Sequence, residues 1–167
     1  MPLERLWAGW RGEYVAGVGA GSSGDGCVLC RIAGSDEPDS ATYVVWRGRG
    51  CVVVLNAYPY TSGHLMVMPS RHVADLEDLG PDEAAELWSV ATAAVVALKA
   101  AYSPEGVNLG ANLGRAAGAG VPGHLHLHCL PRWTGDTNFM TSVAEARVLP
   151  EALPTSWSKL VAGWPSS

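Results

Sequence analysis

The stretch Gly123-His124-Leu125-His126-Leu127-His128-Cys129-Leu130-Pro131-Arg132-Trp133 constrains this chain more than any other. Three of the five histidines alternate here with apolar residues. Strict alternation predicts a β-strand with one apolar face. His124, His126 and His128 then project from one side of a sheet, with successive Cβ atoms about 7 Å apart. Leu125, Leu127 and Cys129 point the other way, into a core. Pro131 suits the end of such a strand or an edge, because it cannot donate to a ladder. Imidazoles repeated on one strand face either bind a metal or supply a nucleophile with supporting donors. The bland alternative is a solvated face that happens to use histidine. The scarcity of histidine elsewhere argues against it.

The flanking sequence supplies partners for this strand. Tyr43 to Arg47 and Cys51 to Asn56 read as two strands joined by the compact connection Gly48-Arg49-Gly50. Asn56 to Gly63 is a loop, and His64 to Pro69 a third strand. Gly80-Pro81-Asp82-Glu83 opens a helix, with proline early and two acids in the first turn. It should run to about Tyr102, with Leu87, Ala91, Ala94, Val95 and Leu98 as its buried stripe. Val107 to Leu113 is a fourth strand, Gly114 to Gly123 a Gly-rich loop, and the histidine strand the fifth. Residues 34–40 read as a polar turn. Beyond Trp133, residues Glu145 to Leu149 suggest a strand edge and Trp157 to Ala162 a helix. The expected class is α+β, an antiparallel sheet with one long helix and peripheral short helices. Leu3, Leu6, Trp7, Trp10 and Tyr14 form an N-terminal amphipathic helix or aromatic arm. The Gly/Ser segment 16–26 that follows is a flexible loop without the Gly-Lys-Ser/Thr ending of a P-loop.

A chain of 167 residues suits one domain with a real core. Its net charge of −5 argues against a basic surface for duplex nucleic acid. Small anions remain accessible to backbone amides and to Arg71, Arg115 and Arg132. The N-terminus carries Glu4, Arg5 and Arg11 in place of a secretory signal. The longest uncharged apolar run, Leu87 to Leu98, is too short to span a bilayer. A soluble cytoplasmic protein with no membrane partner is expected. Its four cysteines should then be reduced, which makes Cys27-Val28-Leu29-Cys30 a metal or redox pair more than a disulfide. The two-residue gap lets both thiolates reach one tetrahedral ion, with His72 and His124 as candidates for the other ligands. The alternative is two thiols in a turn and a surface His72. Cys51 and Cys129 lie inside strands as small buried residues.

His-x-His-x-His followed by two apolar residues resembles the signature of the histidine triad (HIT) family of nucleotide hydrolases and transferases. Pro131-Arg132-Trp133 and Gly135-Asp136-Thr137-Asn138-Phe139 resemble the branch that includes diadenosine tetraphosphate phosphorylases. The resemblance covers residues 43–140 well and the N-terminal arm loosely. It implies a five-stranded sheet per subunit, two subunits pairing into a homodimer, and a HIT domain over residues 27–140. Residues 1–26 are then an arm and loop, and residues 141–167 an extension packing on the domain.

The same resemblance implies an enzyme acting through a covalent histidine–nucleotide intermediate. His126 is the expected nucleophile toward an α-phosphorus, forming a phosphoramidate. His128 donates to a phosphate oxygen or the leaving group, and His124 flanks them. Asn56 is carried over as a ribose contact and Asn112 as an amide near the α-phosphate. The turn-forming and strand-capping roles of asparagine are the alternatives. Gly118, Gly120 and Gly123 bring backbone N–H groups close to a phosphate if the loop is more than a connection. His64 is expected to be a structural hydrogen-bonder. Relatives that hold zinc use a Cys-x-x-Cys, a histidine after the third strand and the first triad histidine. Cys27, Cys30, His72 and His124 match those positions, and four protein ligands make such a zinc structural. The expected substrate is an adenine nucleotide, such as a dinucleoside polyphosphate or a nucleoside phosphoramidate. Ala119 to Gly123 contains no hydroxyl side chain to bind an acceptor phosphate, which leaves water and phosphate both open as acceptors. A non-catalytic nucleotide- or zinc-binding regulatory module is the other function class.

Overall fold

In the computed structural model, residues 26–136 and 151–166 are described. The N-terminal arm and the Glu145–Leu149 strand edge lie outside them. Five strands form one antiparallel sheet in the order β1-β2-β3-β5-β4. They are β1 Val44–Arg47, β2 Cys51–Leu55, β3 Leu65–Pro69, β4 Gly106–Ala111 and β5 Leu127–Arg132. Among the described residues four α-helices accompany them: α1 Val28–Ala33, α2 Asp39–Thr42, α3 Pro81–Tyr102 and α4 Leu153–Ala162. The α+β architecture expected from the patterning is present.

Strand β2 is buried at every position, as its unbroken apolar run Cys-Val-Val-Val-Leu requires. Its alternate side chains feed two cores. Cys51, Val53 and Leu55 join Leu65, Val67, Leu127 and Cys129 under Leu87, Val90, Ala91, Ala94 and Leu98 of α3 and Leu160 of α4. Val52 and Val54 face the other way and pack with Met68, Val44, Cys27 and Leu29 of the α1 region. The helix α3 is long and apolar enough to cross a membrane by length and composition, yet its apolar stripe is spent on the sheet. Its start is fixed by Glu83, whose carboxylate accepts the Gly80 N–H at 2.9 Å. Arg71 clamps the same carboxylate with two bonds of 2.8 Å and adds one to the Asp78 carbonyl.

The histidine segment departs from the expected single strand. The ladder between β3 and β5 begins at Val67↔Leu127, so His124, Leu125 and His126 precede it. The cause is a change of partner: the Leu125 N–H bonds the Val73 carbonyl at 2.6 Å, in the segment that follows β3. The face reading survives, because Leu125, Leu127 and Cys129 all join the α3 core. Pro131 lies beyond Cys129, the last residue of β5 with a partner on β3, where no N–H is needed. Residues 34–40 are not wholly turn, since Asp39 opens the four-residue helix α2. Tyr43 is not in the first strand. It caps α2 in the left-handed region, at φ 55°.

Candidate active site and metal centre

Across the sheet, Val54 opposes Met66, Met66 opposes His128, and His128 opposes Gly110. His128 therefore stands on the face that carries α1. Continuing the β4–β5 register by one residue sets Asn112 opposite His126. All three triad histidines are buried, and His126 is 5% exposed.

The hydrogen bonds fix each ring's proton. A carbonyl can only accept. His126 Nδ1 is 2.7 Å from the His124 carbonyl oxygen, so Nδ1–H donates and the lone pair stays on Nε2. His124 Nε2 is 2.8 Å from the Pro69 carbonyl, so Nε2–H donates and the lone pair stays on Nδ1. His64, fully buried, receives the backbone N–H of Tyr60 at 3.1 Å on its Nδ1, with the Asn56 amide nitrogen at 3.3 Å. Its proton is therefore on Nε2, which donates to His128 Nδ1 at 2.8 Å. His128 in turn carries its proton on Nε2. His126 thus holds a free lone pair beside His128, an imidazole with a free N–H, with ring centroids 4.9 Å apart. Burial lowers the pKa of His126. Burial, reinforced by the neighbouring His126, pushes His128 down to about 4. Burial favours the neutral form of both rings.

The expected nucleotide contacts are placed as follows. The Asn56 side-chain oxygen accepts the Tyr58 N–H at 2.9 Å, which fixes the amide in the loop with bonding capacity to spare. The Asn112 amide reaches the Gly118 carbonyl at 3.5 Å and braces the Gly-rich loop. Gly114 and Gly118 both have positive φ, 75° and 89°, which glycine alone adopts cheaply. Within the loop, the Gly118 N–H is bonded to the Arg115 carbonyl. Gly123 passes 3.8 Å from the His72 ring, measured from the site of a Cβ.

A second centre lies against the first. The ligand atoms of Cys27, Cys30, His72 and His124 all fall within 4.8 Å of one another. The His124 Nδ1 lone pair stands 3.4 Å from each of the two sulfurs. His72 Nδ1 is 3.2 Å from Cys30 Sγ. Metal–sulfur and metal–nitrogen bonds of about 2.3 and 2.0 Å put tetrahedral neighbours roughly 3.3–3.8 Å apart, so these four donors fit one cation. Cys27 is the N-cap of α1 and Cys30 lies in its first turn. Arg47 holds that short helix to the sheet: its guanidinium donates to the Ala33 and Ile32 carbonyls and to Asp39.

His64 has a larger part than its sequence suggested, because it determines which nitrogen of His128 is protonated. The signal was the pairing of Gly63-His64 with Asn56 across one loop.

The HIT domain family model matches residues 37–135, more than half of the chain. This protein belongs to the HIT family. The HIT chain is 38% identical over 165 residues to the AP-4-A phosphorylase of Mycobacterium tuberculosis, covering 97% of this chain and 85% of that one. Its fold matches a Zn-bound histidine triad family protein from Mycobacterium smegmatis at 29% identity and a TM-score of 0.68, over 84% of this chain and 94% of that one. A hypothetical histidine triad nucleotide-binding protein from Sulfolobus tokodaii matches at 27% identity and a TM-score of 0.67, over 82% and 91% of the two chains.

Proposed function

We propose that this HIT protein is a nucleotidyl transferase or hydrolase that cleaves a dinucleoside polyphosphate, with diadenosine tetraphosphate as the leading substrate. One observation carries the reading: the His126 Nδ1–H is committed to the His124 carbonyl, which leaves Nε2 as a nucleophile aimed from a buried, neutral ring. Nε2 attacks the α-phosphorus, a nitrogen–phosphorus bond forms, and the bond to the bridging oxygen of the leaving polyphosphate breaks. The imidazolium that results keeps its Nδ1 proton on the carbonyl. The His128 Nε2–H meets charge on a phosphoryl or leaving oxygen. An acceptor oxygen then displaces His126 and restores the neutral ring. The M. tuberculosis relative supports phosphate as that acceptor, giving ADP and ATP from diadenosine tetraphosphate.

The four-donor cluster is proposed to hold zinc, with Cys27 and Cys30 as thiolates and His72 and His124 through Nδ1. Four protein ligands leave no open position, so the ion would supply rigidity and no chemistry on substrate. A homodimer is proposed through β4, an edge strand with Leu109 exposed.

The test is incubation with diadenosine tetraphosphate, with and without inorganic phosphate, followed by chromatography. ADP formed only with phosphate supports a phosphorylase, and AMP with ATP supports an asymmetric hydrolase. Binding of AMP without turnover of any dinucleotide would instead favour a regulatory module.

A further inference from the structure

The loop between β2 and β3 folds back over His64, and its central aromatic residue does more than close the turn. The Tyr60 ring lies 4.7 Å from the His64 ring and 5.9 Å from the His128 ring, at 27° to the latter. The same residue's backbone N–H fixes the His64 acceptor nitrogen at 3.1 Å. His64 and His128 are themselves joined at 2.8 Å with their rings tilted by 49°. One residue thus meets both members of the pair, by an N–H to His64, by a tilted ring contact with His64 and by a stacked one with His128. Tyr60 is 40% exposed whereas His64 is at 0% and His128 at 9%, so a partly wet ring is packed against a buried pair. A buried hydrogen bond keeps its direction only while water is denied a competing place in it.

We propose that Tyr60 is a positioning residue for His128, its ring holding the His64–His128 pair in line and keeping the His128 proton on Nε2. Its ring acts through His64 and His128. The contribution of the ring is separable from that of the backbone N–H, which any residue at this position retains. The assignment of catalytic work to His128 rests on the proposed function above; the effect on the proton's position does not.

The experiment compares Tyr60→Ala and Tyr60→Phe with the wild-type protein as purified. Long-range nitrogen–proton correlation spectra on 15N-histidine protein report the tautomer of His64 and His128 directly. The wild type should show both rings as Nε2–H, Tyr60→Phe should keep that pattern, and Tyr60→Ala should give mixed tautomers. Turnover of the dinucleotide should fall roughly tenfold in kcat for Tyr60→Ala, with KM within about twofold, and recover in Tyr60→Phe. If Tyr60→Ala does not fold, Tyr60→Leu, which keeps apolar cover without a flat face, is read in its place. Unchanged tautomers in the variant lacking the ring would overturn the proposal. So would a loss confined to KM, or a Phe variant as impaired as the Ala variant. Absence of wild-type turnover would sink the functional reading alone, since the spectra answer the structural claim without any substrate.

Discussion

His126 and His128 are the same side chain with the proton on opposite nitrogens, and an acceptor facing one Nδ1 and a donor facing the other make the difference. A backbone carbonyl takes the Nδ1 proton of His126, and a neutral imidazole delivers its own to Nδ1 of His128. Replacing His126 by Asn should keep the fold and lower kcat by at least about 10³-fold, since it removes the imidazole whose Nε2 lone pair makes the proposed attack. A radiolabelled nucleotide trapped in mid-reaction should be lost with it. Removing His64 as His64→Ala should be costly in a second way. It takes the donor from His128 Nδ1 in a buried site, at about 1–3 kcal/mol, measurable by urea unfolding. The low pKa of His128 has a stability consequence whose sign is fixed. Its folded value of about 4 lies below the ordinary 6.5, so between those pH values the unfolded chain takes up a proton that the folded chain refuses. His128's contribution to stability is therefore complete above pH 6.5 and declines as the pH falls toward 4. Unfolding midpoints at pH 7 and pH 5 should differ in that direction, and His128→Asn should flatten the dependence.

At the scale of elements, His124 joins two centres that would otherwise be neighbours only. Its ring faces two thiols at one nitrogen and a carbonyl at the other, and its own carbonyl holds the proton of His126. The short helix α1 is accordingly a support for His126 as much as a cover for the second core. Chelation of the purified protein should open Cys30 and then Cys27 to alkylation at pH 8 and lower the melting temperature by several degrees. Cys51 and Cys129 should stay unlabelled in the folded protein, because burial raises both thiols to about 12. Mass spectrometry of the alkylated chain distinguishes the two pairs. The support on the opposite face is α3, and Leu87→Ala there should cost about 2–5 kcal/mol, since the side chain is fully buried over the sheet.

On the scale of the whole molecule, the parts legible in the sequence were those whose physics is local. The alternation around Leu127 and Cys129, the unbroken apolar run of β2 and the Pro81-Asp82-Glu83 helix start each announce themselves within a few residues. What stayed hidden depends on distant partners. The late start of β5 comes from Val73 capturing the Leu125 N–H, and no pattern inside residues 124–132 reports that. The four residues of α2 are too few for periodicity to show. The part played by His64 required knowing that His128 lies within reach of it, 64 residues away. The C-terminal helix α4 docks in the same non-local way, with the Trp157 indole donating to the Val44 carbonyl at 2.7 Å and Glu151 gathering Tyr102, Ser156 and Lys159. Trp157→Ala should loosen that helix and lower stability without altering the histidine tautomers. Gly63 ties the loop before β3 to the end of α3. Its φ of 81° and missing Cβ seat the loop directly on the Tyr102 ring, where an added carbon would stand 2.6 Å from Cε2. A side chain at this position must displace the ring of the last residue of a core helix, so Gly63→Ala should lower the unfolding midpoint.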